Sequence, residues 1–149
     1  AIFNAFLGFS ELPLLAADFF QNSGLSPFTV LLGMIALYIM LGFVMDSLSM
    51  ILLTVPIFWP IIAGLDFGLG PDDTKLWFGI ISLIVVEMGL ITPPVGLNVF
   101  VINSMAKDVP MIETFKGVVP FIVSDFIRVA IIIAFPTITL ILPKLLAIE

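Results

Sequence analysis

The chain has 149 residues, 61% of them hydrophobic and only 11% charged, whereas a soluble domain carries charge on about a quarter of its residues. It contains no His and no Cys, which removes serine–histidine relays, thiol nucleophiles, histidine-ligated zinc and disulfide scaffolds. A net charge of −6 excludes a basic surface for nucleic acid. What remains is an integral membrane protein, not an enzyme, whose 15 Phe against a single Tyr suit contact with the lipid bilayer.

Residues 1–28 come first. Ala1 to Phe9 reads as the end of a span. Beyond Ser10, Leu12, Leu15 and Phe19 recur at helical spacing with acids at Glu11 and Asp18, a pattern suited to a helix lying in the membrane interface. Gln21-Asn22-Ser23-Gly24 stops that helix and Ser26-Pro27 starts the next. With no initial Met and no basic leader, the chain reads as the C-terminal piece of a longer membrane protein.

Residues 29–62 are nearly all apolar. As one helix they would extend roughly 51 Å, too long for one crossing of a ~30 Å hydrocarbon core and too short for two crossings with a loop. Gly42 and Asp46-Ser47-Leu48-Ser49 interrupt the run, and Pro56 and Pro60 act as further breakers. Two arms of about 15 residues meeting near Met45–Ser49 therefore predict a re-entrant hairpin. The competing reading is a tilted span ending near Asp46, then an interfacial helix. A carboxylate in so apolar a run is costly without a use, and Asp46 can either cap the second arm or hold a cation.

Residues 63–75 form a loop rich in turn formers, with Asp72 or Asp73 capping the next helix and Trp77 marking its interfacial end. Residues 76–106 are again apolar, broken by Gly89-Leu90-Ile91-Thr92-Pro93-Pro94-Val95-Gly96. Neither proline has an N–H, and each pushes its predecessor out of the α region. The carbonyls of Gly89 and Leu90 thus lose their helical partners near the middle of the bilayer, where they must be answered by protein, water or an ion. A discontinuous helix is predicted over 76–106. Its first half ends on the oxygens of Gly89, Leu90 and Thr92, at the negative end of a helix dipole, a setting for an alkali cation. Its second half, starting at Pro93 or Pro94, offers the amides of Val95 and Gly96 to a carboxylate, with Asn98 one turn on. Pro94, Val95, Gly96 and Asn98 are accordingly the candidate substrate contacts. The alternative is a packing kink satisfied by a neighbouring helix. Glu87, a second acid in the same span, faces a scaffold or a partner subunit as readily as an ion.

Residues 107–117 form a loop holding Lys107 and Lys116, and residues 118–143 the final span, kinked at Pro136. Asp125 and Arg128, at i and i+3, are expected to pair as a structural ion pair facing the protein interior. Two Lys in this loop against one in 63–75 place 107–117 in the cytoplasm, the C-terminus outside, and the hairpin entering from the outer side. The chain divides into 1–28 (end of a span and interfacial helix), 29–106 (hairpin and broken helix) and 107–149 (loop and last span).

Gly89 to Asn98, together with Gly42-Phe43-Val44-Met45-Asp46, Pro56-Ile57-Phe58-Trp59-Pro60-Ile61, Pro120-Phe121, Pro136 and Leu142-Pro143, resembles the C-terminal half of the large membrane subunit of TRAP transporters, the tripartite ATP-independent periplasmic systems. The resemblance covers residues 28–145 and is most specific at Thr92-Pro93-Pro94-Val95-Gly96. It implies an all-α membrane fold, the C-terminal repeat of an inverted-repeat elevator transporter in a bacterial or archaeal inner membrane. It implies import of organic acids such as C4-dicarboxylates or sialic acids, with sodium as coupling ion and no other cofactor. It also implies a small membrane subunit and a periplasmic binding protein as partners. By the same resemblance, the hairpin tip (Gly42, Asp46, Ser47) and the break (Gly89, Leu90, Thr92) enclose one sodium ion with substrate nearby. The repeat that would supply the other sodium site is absent from this sequence. Two other functions share the pattern: a two-component sodium–dicarboxylate or citrate carrier needing no binding protein, and a membrane scaffold whose broken helix is only a packing device.

Overall fold

The computed structural model describes residues 10–106 and 108–146. The predicted span end at Ala1–Phe9 and the Lys107 side of the second loop lie outside the described residues. Seven helices follow one another within them: α1 (Leu12–Asn22), α2 (Pro27–Leu41), α3 (Ser47–Ala63), α4 (Pro71–Ile91), α5 (Leu97–Met105), α6 (Met111–Ala134) and α7 (Thr137–Leu146). The starts follow local chemistry. Ser26 accepts the Thr29 amide ahead of Pro27, and Asp46 accepts the Ser49 amide at the head of α3. At α4 the cap position is Gly70, with Pro71 behind it. Asp72 and Asp73, expected to cap, sit instead in the first turn, where a carboxylate favours the positive end of the dipole.

Helices α2 and α3, of 15 and 17 residues, are arms roughly 22 and 25 Å long joined through Gly42–Asp46, each shorter than a full crossing. Pro56 and Pro60, expected as breakers, lie inside α3, which runs through both. Burial of Phe58, Ile61 and Ile62 on the same turns holds that stretch straight against its neighbours. Helix α1 packs on α3 through its small residues. Pro13 and Ala17 are buried while Leu15 and Phe19 are exposed. The small residues allow a closer approach: a Cβ on Gly64, at the end of α3, would sit 1.9 Å from Gln21 Nε2.

Helix α4 is the axis of the fold, packed by α2, α3, α6 and α7. Its buried face carries Trp77, Ile81, Val85, Val86 and Met88, each at most 1% exposed. Helices α4 and α6, with 21 and 24 residues, are long and apolar enough to cross a membrane.

The last span departs from expectation. Helix α6 starts at Met111, because Pro110 adopts an extended conformation before it and Glu113 occupies its first turn. Lys116 therefore sits in a helix, paired with Glu113 at 2.8 Å, and the predicted loop shrinks to its first few residues. At the other end Phe135 and Pro136 divide the span into α6 and α7. Pro136 has no N–H for the Ile132 carbonyl. The indole Nε1 of Trp77 donates to that carbonyl at 2.9 Å. Trp77 is thus a fully buried residue filling a proline break, not an interfacial marker. Arg128 and Asp125 pair at 2.7 Å, but the Arg128 side chain is 54% exposed, so among the described residues the pair points away from the core.

Candidate functional site

The turn of the hairpin and the end of α4 meet backbone to backbone. A Cβ on Gly42 would lie 2.6 Å from the Gly89 Cα and 2.7 Å from its carbonyl carbon. Conversely, a Cβ on Gly89 would come within 3.0 Å of the Gly42 Cα and 3.2 Å of the carbonyl oxygens of Tyr38 and Ile39. Backbone atoms cannot swing aside as side-chain ends do, so only two glycines permit this crossing. Both are buried.

Around the crossing, backbone acceptors go unanswered. Helix α4 ends at Ile91, Thr92 turns extended, and Pro93 and Pro94, joined by a cis bond, follow. No amide beyond Ile91 donates to the carbonyls of Gly89 or Leu90 among the described residues. On the hairpin side, Phe43 N bonds the Met40 carbonyl, and Val44 N and Met45 N both bond that of Leu41. The Ile39 carbonyl is passed over, an acceptor that the sequence did not single out. Leaving a buried carbonyl unpaired costs about 1–3 kcal/mol, and protein, water or an ion can each answer it.

The side chains named from the sequence are divided. Asp46 Oδ1 accepts the Ser49 amide at 3.0 Å, the cap geometry, and is exposed. Ser47 opens α3, half-buried. Thr92 Oγ1 donates to the Met88 carbonyl at 2.5 Å, which keeps its lone pairs available. Helix α5 starts three or four residues later than predicted, at Leu97, capped by Gly96 in the left-handed conformation (φ 56°). Pro94 is therefore an exposed turn residue and not the first of a helix. The amides of Val95, Gly96, Leu97 and Asn98 donate to no backbone carbonyl among the described residues, so the free donors extend two residues beyond those expected. Gly96 is required by its conformation and by packing, since a Cβ there would lie 3.1 Å from the Phe115 ring. The Asn98 side chain is exposed.

Sequence reasoning passed over a buried polar cluster one helical turn below the crossing. Tyr38 and Thr54 hydroxyls lie 2.9 Å apart, and Thr54 Oγ1 donates to the Met50 carbonyl at 2.7 Å. Ser82 is buried beside them, against the Tyr38 hydroxyl. The signal was present, because Tyr38 is the sole Tyr of the chain and lies in an apolar run.

Residues 1–138 match the family described as tripartite ATP-independent periplasmic transporter, DctM component. The chain is similar to the sialic acid TRAP transporter large permease protein SiaM of Vibrio cholerae, 31% identical over 97% of this chain and 32% of that protein. It is similar also to the C4-dicarboxylate large permease DctM of Pseudomonas aeruginosa, 33% identical over 90% of this chain and 30% of that protein. The 2,3-diketo-L-gulonate large permease YiaN of Escherichia coli is 28% identical over 85% of this chain and 28% of its own length. The chain thus spans about a third of the length of the curated relatives it matches. No solved structure matches it. The chain belongs to the DctM component of the tripartite ATP-independent periplasmic transporters, a family of transporters and not of enzymes.

Proposed function

We propose that this chain is part of the membrane permease of a sodium-coupled secondary transporter that imports an organic acid delivered by a soluble periplasmic binding protein, beside a small membrane subunit. In this reading α2 and α3 are a re-entrant hairpin, α4 and α5 a discontinuous helix, and the two form the mobile repeat of an elevator. The observation that carries it is the Gly42–Gly89 crossing, which brings the hairpin tip against unanswered carbonyls at the negative end of α4. A sodium ion coordinated by the oxygens of Gly89, Leu90 and Thr92, with Asp46 and Ser47 at the tip, ties hairpin to helix. The free amides at the start of α5 face the substrate carboxylate. The relatives' printed substrates, sialic acid and C4-dicarboxylates, define the class to test.

The test is uptake into proteoliposomes by the intact transporter with its binding protein across a range of sodium concentrations. Thr92→Ala and Asp46→Ala are each expected to raise the sodium concentration for half-maximal uptake several-fold. Unchanged sodium dependence in both overturns the ligand assignment, and full uptake without any binding protein overturns the tripartite reading. The orientation is equally open to test, since the chain has no Cys of its own. A single Cys at Asp108 should react with an impermeant thiol reagent only from the cytoplasmic side, and one at Gly68 only from outside.

A further inference from the structure

An apolar groove of about 740 Å³ runs between α3 and α4, away from the Gly42–Gly89 crossing. That is within the ~300–1,000 Å³ range of built ligand pockets. Ile51, Val55 and Trp59 form one wall at four-residue spacing, and Leu76, Gly79 and Leu83 the other. Charge is confined to one end, where Asp72 and Lys75 stand in the first turns of α4. At i and i+3 they are placed to pair with each other, yet they form no ion pair. Lys75 lies 6.0 Å above the Trp59 ring instead, and Asp72 has no cationic partner among the described residues. One feature marks the groove as more than a packing seam. A Cβ on Gly79 would meet no atom within 4 Å, so its wall is open where a side chain would fit.

We propose that this groove is a binding site for one phosphatidylethanolamine molecule of the bilayer. The opposed charges at the mouth match a zwitterionic headgroup, Lys75 taking the phosphate and Asp72 the ammonium, with Trp59 at the headgroup boundary. A purely anionic lipid would leave Asp72 opposed, and a choline headgroup offers it no N–H. The acyl chain then lies along Gly79 and Leu83 and leaves the groove before exposed Glu87. A lipid wedged there braces α3 against α4, and so the hairpin against the helix it crosses.

The test uses the intact permease purified in mild detergent, with retained lipid extracted and counted. The unaltered protein is expected to hold one phosphatidylethanolamine per chain. Gly79→Phe, whose Cβ meets no neighbour and whose ring enters the groove, and Lys75→Glu, which repels the phosphate, should each retain about tenfold less, a ~1.4 kcal/mol loss. After delipidation, phosphatidylethanolamine vesicles should raise the Tm of the unaltered protein but not of Gly79→Phe. Equal retention by both variants overturns the proposal, as does an equal Tm rise with phosphatidylglycerol or phosphatidylcholine. A photoreactive residue in place of Leu83 that captures only protein also overturns it, because another segment then fills the groove. Should Gly79→Phe not fold, Lys75→Glu decides the matter by the same lipid count.

Discussion

Two places in this chain break a membrane-length helix with proline, and they are resolved in opposite ways. At Pro136 the freed carbonyl of Ile132 receives the indole N–H of Trp77, which reaches across from α4 at 2.9 Å. The break is sealed from within, by a side chain that is fully buried. At Pro93-Pro94 the carbonyls of Gly89 and Leu90 receive nothing from beyond the helix, and a second backbone, that of Gly42, presses against the same spot with no side chain between. The chemistry of the two breaks is the same, a missing N–H. What differs is whether the fold supplies a donor. The kink at Pro136 has its donor built in, whereas the break at Pro93-Pro94 has none from the backbone beyond it among the described residues.

The contrast can be attacked directly. The largest effect is expected from Pro93→Ala/Pro94→Ala, which restores both donors and lets α4 extend: uptake by the intact transporter should fall to background while the Tm is largely retained. Normal uptake by that double variant would make the two breaks equivalent. Next comes Trp77→Phe, which keeps most of the packing but orphans the Ile132 carbonyl. It should cost about 1–3 kcal/mol in a denaturation experiment and leave the sodium dependence of uptake unaltered. A shift in sodium dependence would mean that the sealed break also takes part in coupling. Smallest is Pro136→Ala, which gives Ile132 a helical donor to share with Trp77. Stability should move by less than ~1 kcal/mol in either direction, with uptake near normal.

Much of this organisation was legible because glycine and proline punctuate the chain. The turn at Gly42–Asp46, the loop before Pro71 and the break after Ile91 all fall where backbone chemistry demands them. Proline by itself was a poorer guide. Pro56 and Pro60 leave α3 unbroken, while Pro136 divides a span, and the difference lies in tertiary packing that no local pattern carries. Trp77 was misread for the same reason: an aromatic near a helix start resembles an interfacial anchor until the carbonyl it serves, 55 residues away, is known. At the candidate site, the carbonyls of Gly89 and Leu90 followed from proline alone. The Ile39 carbonyl did not, because it is freed only by the way the hairpin turn rewinds its amides.

The Gly42–Gly89 contact also limits how the hairpin can move. On the face of α4 that meets Gly42, the residues one turn back from Gly89 are Val85 and Val86. A slide of one turn, about 5.4 Å, would bring a bulky side chain into a gap that does not hold even a methyl group. The tip is therefore indexed to one position on α4, like a pin in a single hole.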